Sequence, residues 1–221
     1  MIAVDKPAGM LTVPGRGSEA PVLSALVREL ASEALPVHRL DRDTSGVVLF
    51  AVGREAHRAL NAAFESRRAE KTYLALVRGD LEDAERVELA LLEGRGRVRV
   101  ASKGGVKART DVKPTDRFGG FTLCTCVPLT GRTHQIRVHL AAIGHALAVD
   151  PKYGEDEPLR IGDLWRGAPD PQTLVLERTP LHAASLRIPH PRGRGWLWVE
   201  SPLADDMARC VDLLRAARRE G

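Results

Sequence analysis

The chain has 221 residues, of which 43% are hydrophobic and 28% charged, a composition typical of a globular protein that buries a core. The net charge of +4 favours a polyanionic partner, because each neutralised phosphate releases condensed counterions. Aromatic residues make up only 4% of the chain, which argues against a broad surface on which unpaired bases stack.

Membrane and disulfide patterns are not seen in the sequence. No apolar run approaches the length of a membrane span, and the N-terminus shows no signal-peptide pattern. The three cysteines, Cys124, Cys126 and Cys210, are an odd number without zinc-finger spacing. We therefore expect small core or surface cysteines, no metal site, and a protein of the reducing cytoplasm.

The first third of the chain predicts a loop followed by two helices around a buried strand. Pro and Gly in K-P-A-G-M and P-G-R-G predict a loop over residues 1–17. Apolar residues at helical spacing predict a helix starting near Pro21. The continuous apolar run Val47–Val52 is typical of a buried strand, and the period that follows predicts a helix over Arg54–Arg68.

The remaining chain is dominated by strand patterns. Thr133 is predicted to N-cap a helix with a core stripe of Ile136, Leu140 and Ile143, which ends at Gly144. A final helix is predicted over Asp205–Arg219. Strands are predicted at Lys71–Val77, Arg86–Leu92, Arg97–Ala101, Lys107–Pro114, Phe121–Leu129, Leu181–Ile188 and Trp196–Glu200. Because strands and helices do not alternate regularly, we expect an α+β fold with a mixed, mainly antiparallel central sheet, flanking helices and a single domain over 1–221.

The segment Val37–Gly46, with the sequence V-H-R-L-D-R-D-T-S-G, carries the first candidate site. In an extended conformation Arg39, Asp41 and Asp43 would face one way, and the arginine would keep the Asp41 carboxylate ionised. Thr44 to Gly46 supply turn-forming residues and hydroxyl donors. Composition alone also fits a solvated turn of ion pairs, and a divalent-metal pair lacks a third carboxylate nearby.

The segment Thr130–His139, T-G-R-T-H-Q-I-R-V-H, places three potential cations at the start of a predicted helix. The helix dipole disfavours Arg132, His134 and Arg137 there, so the segment is expected to hold an anion such as an RNA phosphate, or to pair with a carboxylate. Arg137 flanks the core stripe, where its stem can be buried and its guanidinium aimed at a partner. A surface arginine is equally compatible with the pattern.

Tyr73, in K-T-Y-L-A-L-V, is predicted to face inward with Ala75 and Val77. The pattern fits either an active-site tyrosine or a core tyrosine with a satisfied hydroxyl.

Residues 94–109 carry six basic residues and no acidic one, and their glycines predict a flexible hairpin, here called the basic hairpin. Because charges of one sign repel each other unless neutralised, the basic hairpin is a candidate phosphate contact, although a solvated charged hairpin is the alternative. Its basic residues are Arg95, Arg97, Arg99, Lys103, Lys107 and Arg109.

Taken together, these motifs resemble the RluA-type pseudouridine synthases in identity, order and spacing. H-R-L-D-R-D-T-S-G from His38, K-T-Y-L-A-L-V from Lys71 and T-G-R-T-H-Q-I-R-V-H-L from Thr130 carry the resemblance, which covers nearly the whole chain. Shorter motifs agree: K-P-A-G at Lys6, G-H-A-L at Gly144, D-P-K-Y-G at Asp150, L-H-A-A at Leu181 and H-P at His190. The chain departs from the family pattern in lacking most of the strand ahead of K-P-A-G, and G-H-A-L-A-V-D stands where I-L-G-D is common.

The resemblance implies isomerisation of uridine to pseudouridine in structured ribosomal or transfer RNA, at an RNA-binding cleft, without cofactor or metal. It implies that Asp41 is the essential aspartate, Tyr73 the active-site tyrosine, Arg137 the basic partner of the aspartate, and Arg39 an arginine associated with base flipping. Further RNA contacts are expected at Arg132, His134 and, in the basic hairpin, at Arg95, Arg97, Arg99 and Lys103. No S4-type RNA-binding domain is seen, and we expect a monomer that binds neither DNA nor membrane.

Two other classes share parts of this pattern. A noncatalytic RNA-binding module would share the charge and the fold, but would not need Asp41, Tyr73 and Arg137 together. A glycoside hydrolase needs a second carboxylate, and Asp43 stands too close in sequence to Asp41 to leave room for a sugar between them.

Overall fold

A computed structural model describes residues 1–15, 21–94, 96–193 and 195–220. These residues form two compact units. The first unit comprises Met1–Thr72 and His182–Pro202, and the second comprises Tyr73–Leu181 and Leu203–Gly221. The prediction of a single catalytic domain over 1–221 stays a prediction.

The described residues contain both helices and strands, with strands in the majority. The helices are α1 (Leu23–Leu30), α2 (Arg54–Glu65), α3 (Gln135–Ala142), α4 (Ile161–Leu164) and α5 (Asp205–Glu220). The strands are β1 (Ile2–Lys6), β2 (Ala34–Pro36), β3 (Ser45–Val52), β4 (Glu70–Arg78), β5 (Glu85–Glu93), β6 (Val98–Val100), β7 (Val106–Arg117), β8 (Phe121–Pro128), β9 (Leu159–Arg160), β10 (Leu174–Leu176), β11 (Leu181–Pro189) and β12 (Trp196–Glu200).

The predicted elements are confirmed with shifted ends, but the predicted opening loop is wrong over Ile2–Lys6. Residues 7–15 belong to no helix or named strand, and residues 16 and 17 of the predicted loop lie outside the described residues. Ile2 to Lys6 form β1, which pairs antiparallel with β3, so the edge strand that the sequence pattern did not show is present. The loop prediction failed because Pro7 and Gly9 follow the strand directly and hide its short pattern. The short elements β2, β9, α4 and β10 were also missed from the sequence.

In the first unit, β3 pairs with β1 and β2 in antiparallel fashion and with β11 in parallel, while β12 pairs antiparallel with β11. One face of these strands packs on α2, where Leu49, Leu60 and Ile188 are almost wholly buried. This core explains the unbroken apolar run that predicted β3, because seven of its eight residues are buried.

In the second unit, the strands form an antiparallel sheet in the order β4-β8-β7-β5-β6. Helix α5 packs Met207, Cys210 and Leu214 into one core that contains Leu76. A smaller core joins Val138 of α3 to Leu91, Val98 and Ala108. The α+β class with a mixed, mainly antiparallel sheet is thus confirmed.

All three cysteines are buried and unbridged, as expected of core residues. The Sγ atoms of Cys124 and Cys126 lie 3.8 Å apart on β8, and their contact together with burial raises the pKa of Cys126 well above its usual value. Burial raises the pKa of the Cys210 thiol to about 12. In the described part of the chain, no helix combines the length and the hydrophobicity needed to cross a bilayer.

Candidate active site

Asp41 lies in a tight turn rather than in the extended segment considered from the sequence. The Thr44 N–H donates to the Asp41 carbonyl at 3.2 Å, which closes a turn over residues 41–44. Arg39 and Asp43 are exposed, whereas Asp41 is half-buried. The alternation that would have aligned Arg39, Asp41 and Asp43 therefore does not apply.

The backbone on either side of Asp41 is held by two residues to which the sequence alone assigned no role. The Leu40 N–H donates to Thr12 Oγ1 at 3.1 Å, and the Thr12 hydroxyl donates back to the Leu40 carbonyl at 3.2 Å. On the other side, the fully buried Lys6 ammonium donates to the carbonyl of Arg42 at 2.9 Å. Asp41 thus stands between two anchored neighbours.

Lys6 also closes the loop that follows β1. Its ammonium donates to the carbonyls of Pro7 and Met10, each at 2.8 Å. A buried ammonium requires such acceptors, because an unsatisfied buried charge is expensive. The lysine of the K-P-A-G motif was the only available signal, since its partners are backbone atoms that no side-chain pattern reveals.

His38 of the H-R-L-D motif has a structural role in the first unit. Its Nε2 accepts a hydrogen bond from the Leu49 N–H at 3.0 Å, and its ring lies 5.0 Å from that of Phe64. Burial, assisted by the positive charge of Lys71, lowers the pKa of His38 to about 3. The ring is therefore neutral at physiological pH. Its hydrogen bond links the residues that precede the Asp41 turn to β3.

The T-S-G segment after the turn joins β3 to β11. Ser45 Oγ lies 3.0 Å from His182 Nδ1, and both side chains are buried. Gly46 has a φ of +109°, and a Cβ atom there would lie 2.7 Å from the Ala183 backbone nitrogen. The L-H-A-A motif thus meets T-S-G, and only glycine allows this close approach of the two strands.

Tyr73 is confirmed as an inward-facing residue of β4. It is 9% exposed, and Ala75 and Val77 on the same face are fully buried. Its position in β4 is opposite Cys126 of β8.

The T-G-R-T-H-Q loop before α3 is held by the side chain of Gln135. Its Oε1 accepts from Thr130 Oγ1 at 2.6 Å and from the Arg132 N–H at 3.1 Å. Its Nε2 donates to the Arg109 carbonyl at 2.9 Å and to Thr110 Oγ1 at 3.0 Å. One buried amide therefore fixes the loop and leaves the Arg132 side chain exposed.

The predicted N-cap at Thr133 is wrong. The N-cap is His134, which has a left-handed conformation with a φ of 52° and makes no side-chain capping bond. The chain turns sharply there because Gln135, and not a hydroxyl at residue 133, satisfies the donors of this loop. The predicted end of the helix is confirmed, since Gly144 follows the C-cap with a φ of +84°.

Arg137 is 7% exposed and pairs with a carboxylate, so the surface-arginine alternative is wrong. Its Nε donates to Asp150 Oδ2 at 2.8 Å, and its Nη2 donates to Asp150 Oδ1 at 2.6 Å. A bidentate geometry of this kind fixes both the position and the plane of the guanidinium. Asp150 was missed as a site residue from the sequence, although it stands at the start of the D-P-K-Y-G motif.

The basic hairpin, residues 94–109, contains β6 and the start of β7, which in the described residues pair antiparallel with the two sides of β5. The predicted hairpin is therefore wrong in its pairing, because β5 lies between its two strands. Arg97, Arg99 and Lys103 are exposed. The Arg97 guanidinium carbon lies 5.4 Å from the centre of the Tyr153 ring. Arg95 lies outside the described residues.

Solved structures of similar fold indicate the fold class to which the protein belongs. The chain aligns over 99% of its length with 91% of human RNA pseudouridylate synthase domain containing 1, with a TM-score of 0.72 and 26% identity. It aligns over 96% of its length with 89% of human RNA pseudouridylate synthase domain containing 4, with a TM-score of 0.77 and 23% identity. The fold is that of the pseudouridine synthases.

Sequence comparison gives the family. The model of the family described as RNA pseudouridylate synthase matches residues 1–142, and the chain belongs to that family. It is 40% identical over 97% of its length to ribosomal large subunit pseudouridine synthase D of Nitrosomonas europaea, of which it spans 63%. It is 39% identical over 99% of its length to ribosomal large subunit pseudouridine synthase C of Escherichia coli O157:H7, of which it spans 68%.

Proposed function

We propose that the protein is an RNA pseudouridine synthase that isomerises specific uridines in structured RNA. The observation that carries the proposal is its identity of about two in five residues, over almost its whole length, to proteins named as ribosomal large subunit pseudouridine synthases. The anchored turn that presents Asp41 supports it, because a reacting group must be held in a fixed geometry. The names of the relatives favour ribosomal RNA as the substrate, with transfer RNA as the alternative.

The reaction breaks the N1–C1′ bond, turns the uracil, and joins C5 to C1′, while the C5 proton leaves and N1 gains one. The target nucleotide must leave the helix stack first, and Arg39 fills the vacated space. Asp41 acts at the ribose, either as a nucleophile at C1′ or as a base at C2′. Because atoms and electrons balance within the nucleotide, the isomerisation consumes no cosubstrate.

Tyr73 and Arg137 have supporting roles in this proposal. Tyr73 stacks on the uracil and assists the transfer of the C5 proton. Arg137 assists Asp41 in the reaction, the role that the T-G-R-T-H-Q-I-R-V-H-L motif implies. Arg132, His134 and the basic hairpin bind phosphates in a cleft of a single catalytic domain. We propose that the enzyme acts as a monomer on stem-loop RNA in the cytoplasm.

Release of tritium from RNA that carries 5-tritiated uridine tests the proposal. We expect Asp41→Asn to abolish release while RNA binding stays within about twofold of the wild type, because one carboxylate contributes little to phosphate contacts. Asp83→Asn, which removes an exposed carboxylate from the loop before β5, is the matched control and keeps its activity. Wild-type protein that binds RNA without releasing tritium would instead identify a noncatalytic RNA-binding protein.

A further inference from the structure

The D-P-K-Y-G segment, residues 150–154, forms a turn that surrounds one carboxylate with donors. Asp150 is fully buried. Besides the two bonds from Arg137, its Oδ1 accepts the backbone N–H groups of Lys152 at 3.0 Å and Tyr153 at 3.2 Å. The backbone of its own turn thus fixes the carboxylate independently of the guanidinium, so Arg137 is held by a rigid partner.

The ring of Tyr153 contacts the same guanidinium. The Arg137 guanidinium carbon lies 5.1 Å from the centre of the Tyr153 ring, within the range of a cation–π contact. Asp150 therefore holds the guanidinium by two hydrogen bonds, and the ring of Tyr153 holds it by a cation–π contact.

The Tyr153 hydroxyl is held in turn by two elements of the second unit. It accepts the Val98 N–H of β6 at 2.9 Å and lies 2.7 Å from His134 Nδ1 at the start of α3. Burial raises the pKa of Tyr153, so the hydroxyl keeps its proton and can donate it to the imidazole. Lys152 adds a second tie to the basic hairpin, because its Nζ donates to the Gly96 carbonyl at 3.1 Å.

We propose that Asp150 and Tyr153 are positioning residues that orient Arg137 for the reaction. They also couple the orientation of Arg137 to the position of the basic hairpin. The inference rests on the proposed function, in which Arg137 assists Asp41. Neither residue needs to touch the substrate: Asp150 acts through the guanidinium, and Tyr153 acts through the guanidinium and through β6. The D-P-K-Y-G motif thereby gains a role that its composition does not suggest.

A double-mutant cycle measures whether Asp150 acts through Arg137. Single-turnover tritium release is followed for Asp150→Asn, for Arg137→Lys and for the double variant. We expect each single variant to lower the rate about tenfold or more at saturating RNA, because small displacements of an oriented group are costly. The apparent KM should change far less. The double variant should be no slower than the slower single variant, since both changes remove one interaction.

A second ion pair of the same unit provides the control. Arg178 makes a bidentate contact with Asp206, at 2.6 and 2.7 Å, between the segment before β11 and α5. Asp206→Asn therefore removes a bidentate pair whose carboxylate is more exposed than that of Asp150, and should lower the melting temperature without slowing the reaction. If Asp206→Asn slows the reaction as much as Asp150→Asn does, the effect of Asp150 is one of stability and the inference is wrong.

Tyr153→Phe tests the inference should Asp150→Asn fail to fold. It keeps the ring beside Arg137 but removes the hydroxyl, so we expect a moderate loss of rate and weaker RNA binding with little change in melting temperature. An unchanged rate and unchanged binding in Tyr153→Phe would overturn the role of Tyr153, and additive losses in the cycle would overturn that of Asp150. If Arg137→Lys itself is fully active, the role of Arg137 in the proposed function fails.

Discussion

The Lys6 ammonium donates a hydrogen bond to the backbone carbonyl of Arg42 at 2.9 Å, directly after the candidate catalytic Asp41. The same nitrogen donates to the carbonyls of Pro7 and Met10. One lysine therefore ties the loop after β1 to the turn that carries the carboxylate. Three carbonyls accept from this one ammonium.

We expect Lys6→Met to destabilise the protein by about 3 kcal/mol or more and to slow tritium release. Methionine matches the length of the lysine stem but donates nothing, so three part-buried carbonyls lose their donor at about 1 kcal/mol each, the low end of the cost of a buried acceptor. Urea unfolding measures the loss of stability. Lys113→Met, at an exposed position of β7, should change neither property. A Lys6→Met protein as stable as the wild type would contradict the role of the ammonium.

Gly46→Ala is expected to destabilise the first unit more than Gly9→Ala does. Both glycines have positive φ, at +109° and +81°, so alanine is strained at either position. Only at Gly46 would the added Cβ meet the Ala183 backbone, whereas nothing lies within 4 Å of the corresponding atom at Gly9. We expect a loss of about 1 kcal/mol for Gly9→Ala and clearly more for Gly46→Ala. Equal unfolding free energies for the two variants would show that β3 and β11 can separate without cost.

The low pKa of His38 predicts a pH-dependent stability. In the unfolded chain the imidazole takes up a proton near pH 6.5, whereas in the folded protein it does so only near pH 3. The unfolded state therefore binds more protons between these values, and stability falls as the pH falls from about 6.5 toward 3. The slope approaches about 1.4 kcal/mol for each pH unit.

His38→Gln should remove this contribution. The difference in unfolding free energy between wild type and variant, measured by urea titration at several pH values, should shrink from pH 7 to pH 4. An imidazole resonance of His38 that titrates near pH 6.5 in NMR spectra of the folded protein would refute the burial argument.

The basic hairpin predicts a salt-dependent affinity for RNA. Replacing Arg97, Arg99 and Lys103 together by glutamine should weaken binding and reduce the slope of log K against log salt by roughly one for each phosphate that is no longer neutralised. The control replaces Arg86, Arg117 and Arg215, each of which forms an ion pair within the second unit, and so removes the same net charge. Equal changes of slope in the two triple variants would mean that overall charge, and not the hairpin, drives binding.

Gln135→Leu is expected to disorder the loop that precedes α3. The substitution keeps the buried volume but removes one hydrogen bond each from Thr110, Thr130, the Arg132 N–H and the Arg109 carbonyl. We expect a loss of about 2–4 kcal/mol and weaker RNA binding, because buried polar groups left unsatisfied are costly. Gln135→Glu should restore the bonds from Thr130 and Arg132 but not the donation to the Arg109 carbonyl, and so should recover only part of the stability.

The sequence predicts those parts of the structure that depend on residues close together in the chain, and misses those that depend on residues far apart in the chain. Strand β3 follows from an unbroken apolar run and helix α3 from hydrophobic periodicity. Tyr73 faces inward because alternation along a strand is a local property. Strand β1 escaped prediction because Pro7 and Gly9 hide its short pattern, and because its pairing partner β3 is distant in sequence. The conformation of His134 was equally hidden, since it depends on Gln135 reaching back to Thr130.

The residues of the candidate site were likewise predicted where a short motif carries them and missed where backbone contacts do. Asp41, Tyr73 and Arg137 were recognised from motifs that each lie within a few residues. The contacts that hold them were not, because the carbonyl acceptors of Lys6 and the backbone donors to Asp150 are common to every residue. A motif identifies the candidate reacting side chain, whereas the backbone hydrogen bonds around it are seen only in the folded structure.

The three buried cysteines have a practical consequence. Their thiols are shielded and, for Cys126 and Cys210, hard to ionise, so a maleimide or disulfide reagent should react with the native protein slowly. A single cysteine introduced at an exposed position such as Trp198 or Lys103 could then carry a fluorophore or spin label without removal of the native thiols. The rate at which the native thiols themselves react would report how often the folded molecule opens.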